Sequence, residues 1–131
     1  MSFIAAVVQD SPEVFNLSGT IDKVEQLAKK AKNKGAELVV FPEAFVSSYP
    51  KGIDFGARVG MRSNEGRDMF LKYYNSSLDL KSKNFKKLCS IAKKLKIILS
   101  IGVIEKDSGT LYCTALNISK NGEILGKHRK V

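Results

Sequence analysis

The sequence predicts an α/β domain built on a mixed sheet, and three observations support that prediction. Short apolar runs of strand length alternate with segments of helical periodicity through the first hundred residues. The last third instead holds consecutive strand-like runs separated by turn signals. A length of 131 residues with 44% hydrophobic content suits one domain with a moderate core. The expected order of elements is β-α-β-α-α-β-β-β.

The first three elements are expected to form a β-α-β unit. Residues 3–9, FIAAVVQ, have the length of a buried strand, and a turn-rich segment follows at residues 10–19. Apolar positions at helical spacing then share one face, namely Ile21, Val24, Leu27, Ala28 and Ala31. Gly35 stands where a left-handed helix end is expected, and residues 38–41 read as the second strand. The two strands should therefore be parallel.

A long irregular segment is expected from Pro42 to about Asn64, where Gly, Ser and Pro are frequent. Loops of this length inside a compact domain are more often functional than idle. A helix is predicted over Glu65–Tyr74, and a second helix follows Ser82. The apolar face of the second helix carries Phe85, Leu88, Cys89, Ala92 and Leu95.

Three strands are expected in the last third of the chain, at residues 97–105, 110–119 and 123–131. Asp107–Gly109 provides the first turn, and Asn121–Gly122 predicts a type I′ turn for the second. Five or six strands with two or three helices cannot cover both faces of a sheet. The sequence therefore predicts an incomplete domain that exposes a sheet face and strand edges and is poorly soluble in isolation.

The charge balance is strongly basic, with 22 Lys and Arg against 13 Asp and Glu. Most of the lysines surround the two longest predicted helices, at positions 29, 30, 32 and 34 and at positions 81, 83, 86, 87, 93, 94 and 96. Aromatic side chains do not alternate with these lysines as a base-stacking surface would require. The pattern favours a solvated helix surface over a nucleic-acid interface. Salt-dependent DNA binding would support the alternative.

The sequence indicates a cytoplasmic protein without a membrane partner. No apolar run approaches the length of a transmembrane helix. The N-terminus lacks the basic region of a signal peptide. Two cysteines alone do not suggest a disulfide framework.

Two side chains could carry chemistry. Glu43 follows the apolar run LVVF, at the end of a strand, where reactive groups gather in open α/β sheets. Lys130, in the terminal GKHRKV, follows another strand and could reach the same edge. A carboxylate beside an ammonium can act as a general base, while the lysine stabilises developing negative charge. From the residues alone, a structural role for Glu43 remains equally open.

Three motifs that follow one another along the chain narrow the range of possible functions. VVFPEAFVSSYPKG at residues 39–52, FGARVGMRSNEGRDMF at 55–70 and GKHRKV at 126–131 together resemble the nitrilase branch of the carbon–nitrogen hydrolase superfamily. The resemblance covers essentially the whole chain. It implies that residues 1–131 are the N-terminal part of a single carbon–nitrogen hydrolase domain whose C-terminal half is missing. It also implies part of a four-layer αββα sandwich and a homo-oligomer, dimeric or larger.

The resemblance also implies roles for individual residues. Glu43 would be the catalytic base and Lys130 would stabilise the intermediate, with no metal or organic cofactor. The family's nucleophile is a cysteine further along the chain, typically followed by Trp-Glu, and this chain contains no tryptophan. Cys89 and Cys113 are interpreted as ordinary core or sheet residues. The nucleophile is therefore expected to be absent from the chain.

The implied reaction converts a small-molecule nitrile to a carboxylic acid and ammonia through a covalent thioimidate. Tyr49, beside Pro50, is expected to shape the substrate pocket. His128 is expected to be a partner of a nearby carboxylate or carbonyl rather than a catalytic group. Alternatives are an amidase, a cyanide-converting relative, or an inactive truncated protein acting as an interaction subunit.

Overall fold

A five-stranded mixed sheet forms the centre of the fold. The computed structural model describes residues 2–57 and 62–131, so residues 58–61 of the second motif lie outside it. The elements in chain order are β1 (Ala5–Val7), α1 (Leu17–Asn33), β2 (Leu38–Val40), α2 (Asn64–Asn75), α3 (Lys83–Leu95), β3 (Ile98–Asp107), β4 (Thr110–Ile118) and β5 (Ile124–Arg129). This order confirms the predicted α/β class and the predicted succession of elements.

The strands lie in the sheet in the order in which they occur in the chain. β1 pairs with β2 and β2 with β3 in parallel, which confirms the predicted β-α-β geometry. β3, β4 and β5 then pair antiparallel. Because two antiparallel steps separate them, β3 and β5 run in the same direction.

The first strand is shorter than the predicted 3–9. Backbone hydrogen bonds nevertheless extend past its ends, since Ile4 O accepts from Glu37 N at 2.8 Å and Val8 N donates to Val40 O at 2.8 Å. β2 is a three-residue strand. Because β2 is this short, the regular pairing of β1 is limited to the same length, although the apolar run at residues 3–9 is longer.

The first helix begins earlier than its apolar pattern predicted. Asn16 is the N-cap, and its side-chain oxygen accepts from Gly19 N at 3.0 Å. That hydrogen bond satisfies one of the free donors at the helix start, so the supposed turn at 17–19 is the first turn of α1. The other end is as predicted, with Gly35 at φ +87°.

The first hairpin turn lies where it was predicted, whereas the second has a different type from the predicted one. Ser108 and Gly109 both have positive φ, at +50° and +84°, which is the type I′ geometry. The predicted type I′ turn at Asn121–Gly122 is wrong, because Asn121 is not in the left-handed region. Gly122 N instead donates to Ser119 O at 2.9 Å, closing a three-residue loop. The Ser119 hydroxyl stabilises this longer loop by accepting from Asn121 N and Glu123 N, each at 3.2 Å.

One face of the sheet carries the main core. Helices α1 and α3 cover this face, and its fully buried side chains include Ile21, Val24, Leu88, Leu99, Ile101, Leu116 and Ile118. Tyr73 of α2 belongs to a smaller cluster with Ala44 and Ile104. One layer of helices and one sheet are therefore seen in the described residues, which is two of the four layers that the family resemblance implies. None of the helices in that part of the chain is long and apolar enough to cross a membrane.

The lysines of α3 and its ends are exposed, as the interpretation of a solvated surface predicted. Two of them pair with acidic residues of α1. Lys94 Nζ lies 3.0 Å from Glu25 Oε1, and Lys87 pairs with Asp22. These exposed ion pairs contribute little stability.

Gly102 is the point of closest approach between β3 and the segment that follows β2. A Cβ at this position would lie 2.5 Å from Ala44 N, Glu43 Cα and Pro42 O, all of them backbone atoms. Any side chain there must push this segment away from the sheet.

We expect Gly102→Ala to destabilise the protein by about 1–3 kcal/mol, the usual cost of overpacking. Gly126→Ala is the matched control, because a Cβ on that strand glycine meets nothing within 4 Å. Urea unfolding of both variants measures the difference. Equal midpoints for the two variants would contradict the close approach.

Candidate active site

The backbone after β2 positions Glu43 over the sheet rather than at its margin. Phe41 N donates to Ser100 O at 2.8 Å, and Pro42 O accepts from Gly102 N at 3.2 Å. Val46 N then donates to Gly102 O at 3.1 Å, and Val46 pairs in parallel with Val103. The chain therefore bulges over Gly102 and returns to the same edge of β3. The buried Ala44, at φ +50°, makes the turn. Non-glycine residues in this conformation carry strain of order 1–3 kcal/mol and are frequent at functional sites.

Lys130 reaches the same place from the last strand. Its backbone N–H donates to Cys113 O at 2.8 Å, which extends the pairing of β5 with β4 beyond Arg129. Because strand side chains alternate between faces, Arg129 and Lys130 point to opposite sides of the sheet. Lys130 therefore lies on the face that carries Glu43.

The two predicted site residues form an ion pair. Lys130 Nζ donates to Glu43 Oε1 at 2.8 Å, and the Cys113 thiol donates to the same oxygen at 3.5 Å. Both charged side chains are accessible, Glu43 being 50% and Lys130 63% exposed. The hydrogen bond from Lys130 lowers the pKa of Glu43, with a smaller effect of the same sign from Cys113. Glu43 in turn raises the pKa of Lys130.

A cavity of about 330 Å³ opens beside this pair on the sheet face that α1 and α3 leave uncovered. Ser100, Gly102 and Ala115 are among its lining residues, and these small side chains leave the space. His128 also lines it, opposite Ala115 in the register of β4 and β5. The expected carboxylate or carbonyl partner of His128 is not found among the described residues, because the imidazole lies on this open face.

The structure gives Cys113 a place that the sequence did not predict. It is on β4, as expected for a sheet residue, but its thiol faces Glu43. Burial and the neighbouring Glu43 carboxylate raise the pKa of Cys113. Burial also raises the pKa of Cys89, which packs beside the main core. Neither thiol has the lowered pKa of an activated nucleophile.

Tyr49 lies beside a second cavity, of about 270 Å³, which it lines together with Pro50, Tyr73 and Leu111. Tyr49 is 54% exposed, whereas Tyr73 is buried and burial raises its pKa to about 12. Cys113 lines both cavities, so the two are adjacent. The role of Tyr49 in substrate binding stays a prediction.

On the opposite face, a buried carboxylate anchors the end of β5. Arg129 donates to both oxygens of Glu105, from Nε at 3.0 Å and from Nη2 at 2.8 Å. Lys127 and Thr114 donate to the same carboxylate at 2.7 and 2.8 Å. Arg129 also stacks over the Tyr112 ring, 3.8 Å from its centroid. Because Arg129 is held on the face that carries Glu105, the side chain of the next residue, Lys130, lies on the opposite face of the sheet.

Sequence reasoning missed this anchor, although a signal was present. Glu105 continues the inward alternation of Ile101 and Val103 in an otherwise apolar strand. A carboxylate at such a position requires buried partners. The basic residues of GKHRKV were the available ones.

Comparison with known proteins shows the family of the chain. Residues 4–131 match the carbon-nitrogen hydrolase family. The chain belongs to that family. It is 45% identical over 127 residues to a bifunctional nitrilase/nitrile hydratase of Nicotiana tabacum, and 46% identical over 127 residues to nitrilase 2 of Arabidopsis thaliana. Each match covers 97% of this chain, and the chain spans 36% and 38% of the length of these two relatives.

A solved structure supports the fold of this carbon–nitrogen hydrolase chain. A variant of the Nesterenkonia AN1 amidase, from the nitrilase superfamily, superposes with a TM-score of 0.67 at 23% identity. The match covers 97% of this chain and 42% of that one. The family match and the two nitrilase relatives confirm the predicted resemblance to an N-terminal portion of a nitrilase.

The Glu105 anchor should dominate the stability of the β5 end. We expect Glu105→Gln to lower the free energy of unfolding at pH 7 by about 1.5–3 kcal/mol, because it removes the buried counter-charge to which Arg129 and Lys127, each about one-third exposed, donate hydrogen bonds. Asp107→Asn is the matched control, since Asp107 also pairs with Arg129, at 2.7 Å, but is 47% exposed. A chemical denaturation series compares the two, and equal losses would be inconsistent with a buried anchor.

The same anchor should make stability pH-dependent. Its cationic and hydroxyl partners lower the pKa of Glu105 from 4.5 to about 2. A carboxylate with a lowered pKa in the folded state contributes stability above its unfolded pKa and loses it as pH falls through the folded pKa. The wild type should therefore lose its advantage over Glu105→Gln between about pH 4.5 and pH 2. Unfolding midpoints at successive pH values measure this, and a constant difference would argue against it.

Proposed function

We propose that the protein serves a nitrilase-type hydrolysis of non-peptide carbon–nitrogen bonds, converting a small nitrile to a carboxylic acid and ammonia. The observation that carries the proposal is the Glu43–Lys130 pair, joined at 2.8 Å beside an open cavity. These two residues come from motifs 87 positions apart, and both lie on the uncovered face of the sheet. The names of the nitrilase relatives support the substrate class.

In this proposal Glu43 is the general base. Lys130 lowers the pKa of Glu43, which keeps the carboxylate in the ionised form that accepts a proton while making it a weaker base. It takes the proton of a thiol nucleophile and later that of the hydrolytic water. Glu43 raises the pKa of Lys130, so the ammonium stays charged and can donate to the tetrahedral species.

The thiol nucleophile comes, in this proposal, from outside residues 1–131. Cys89 packs beside the core, and Cys113 has a raised pKa beside Glu43. No Trp follows either cysteine, as the family motif would require. A longer form of the chain or a partner subunit would supply this group, and residues 1–131 alone would not turn over substrate.

Tyr49 is proposed to contact the side chain of the nitrile. Its cavity adjoins the one beside Glu43 through Cys113, and its lining is largely aromatic and aliphatic. We further propose a homo-oligomeric, cytoplasmic protein without a nucleic-acid partner, because the family resemblance and the dispersed exposed lysines favour this.

The experiment that tests the function begins with the protein isolated from its source. Its intact mass is measured first, and ammonia release is then assayed with nitrile and amide substrates. A mass near 14.4 kDa would mean that a partner must supply the thiol. The 131-residue chain is then co-expressed with the remaining part of the Nicotiana relative and assayed again.

We expect Glu43→Gln and Lys130→Gln each to reduce ammonia release at least 100-fold, since each removes a group used in the reaction. Glu123→Gln and Lys120→Gln are matched controls in the exposed β4–β5 loop and should leave the rate unchanged. Full activity in Glu43→Gln would place the base elsewhere. Absence of turnover in every complemented preparation would favour the non-catalytic interaction subunit.

A further inference from the structure

We propose that Cys113 is a positioning residue for the Glu43–Lys130 pair, and that it selects Glu43 Oε2 as the oxygen that accepts protons. The catalytic meaning of this inference rests on the proposed function. The positioning itself is a property of the structure and can be tested without turnover.

Two donors converge on one carboxylate oxygen. Lys130 Nζ and Cys113 Sγ lie 2.8 Å and 3.5 Å from Glu43 Oε1. Within residues 2–57 and 62–131, no group donates to Oε2. Because donors to an oxygen lower its basicity, a proton from a nucleophile or water goes preferentially to Oε2.

Cys113 also fixes Lys130 through its backbone. Its carbonyl accepts from Lys130 N–H at 2.8 Å, immediately beyond the last paired residue of β5. One residue of β4 therefore holds both members of the pair, the lysine through the main chain and the glutamate through the thiol. Half-exposed charged side chains would otherwise sample several rotamers.

The positioning role requires a neutral thiol, and the surroundings of Cys113 favour that state. Cys113 sits on the open face opposite Ile104, where burial and the Glu43 carboxylate raise its pKa. A neutral S–H can donate to a carboxylate, whereas a thiolate would repel it. Lys130 acts in the opposite direction on the thiol pKa but is the smallest contribution.

The first experiment is an NMR titration of the chain with ¹³C-labelled glutamate carboxyls, in which Glu43 is assigned by its loss in Glu43→Gln. Cys113→Ala removes the donor and should raise the pKa of Glu43. Cys113→Ser keeps a donor and should restore the wild-type value, which a purely packing role would not require. Cys89→Ala is the matched control and should leave the Glu43 titration unchanged.

A second measurement uses the reciprocal effect on the thiol and needs little soluble protein. Iodoacetamide alkylation of Cys113 at pH 8 is followed by peptide mass, with Cys89 as the internal reference. Glu43→Gln removes the carboxylate that disfavours the thiolate, so alkylation of Cys113 should become several-fold faster. Glu123→Gln should not change it.

In the complemented enzyme, Cys113→Ala should reduce kcat/KM about fivefold to tenfold, the value of one hydrogen bond, and move the acid limb of the pH profile upward. Cys113→Ser should recover both. The proposal is overturned if Cys113→Ala leaves the Glu43 titration unchanged and Glu43→Gln leaves the rate of Cys113 alkylation unchanged. If the predicted effects between Cys113 and Glu43 are observed but the complemented enzyme does not turn over substrate, the result counts only against the proposed function.

Discussion

The backbone contact between Gly102 and the Pro42–Ala44 segment is the constraint on which the site depends. A strand that ends at an open sheet edge would leave its next side chain in solvent. Here the chain bulges over the face of β3 and then pairs again with the same edge, because a residue without Cβ lets two backbones approach and exchange hydrogen bonds. Glu43 is thereby carried over the sheet face, where Cys113 and Lys130 can reach it.

The site also requires Lys130 on the sheet face that carries Glu43. β5 meets this requirement because its side chains alternate between the two faces of the sheet. Its inward residues, Lys127 and Arg129, neutralise the buried Glu105, while its outward neighbour Lys130 pairs with Glu43. The two pairs differ in environment. The inner one is buried and stabilises the strand, whereas the outer one is accessible and stays open to a ligand. A single alternating motif therefore supplies both stability and chemistry.

The uncovered sheet face explains why the site looks open. Small residues such as Ser100 and Ala115 line it, and the cavities beside Glu43 and Tyr49 share Cys113 as a common wall. Val7 at the edge of the sheet is 80% exposed.

The sequence by itself determined the succession of elements, the parallel β1–β2 pair and the two residues that form the ion pair. Those features follow from local periodicity, chain connectivity and motif order, all of which can be read along the chain. Only the tertiary structure decided the turn type after β4, the anchoring of Glu105 and the place of Cys113. These depend on which residues become neighbours across strands, as with Cys113 and Glu43, 70 positions apart. Pairing at that distance is set by sheet register. Register depends on turn geometry and on which sheet face is buried, and local periodicity alone does not reveal either.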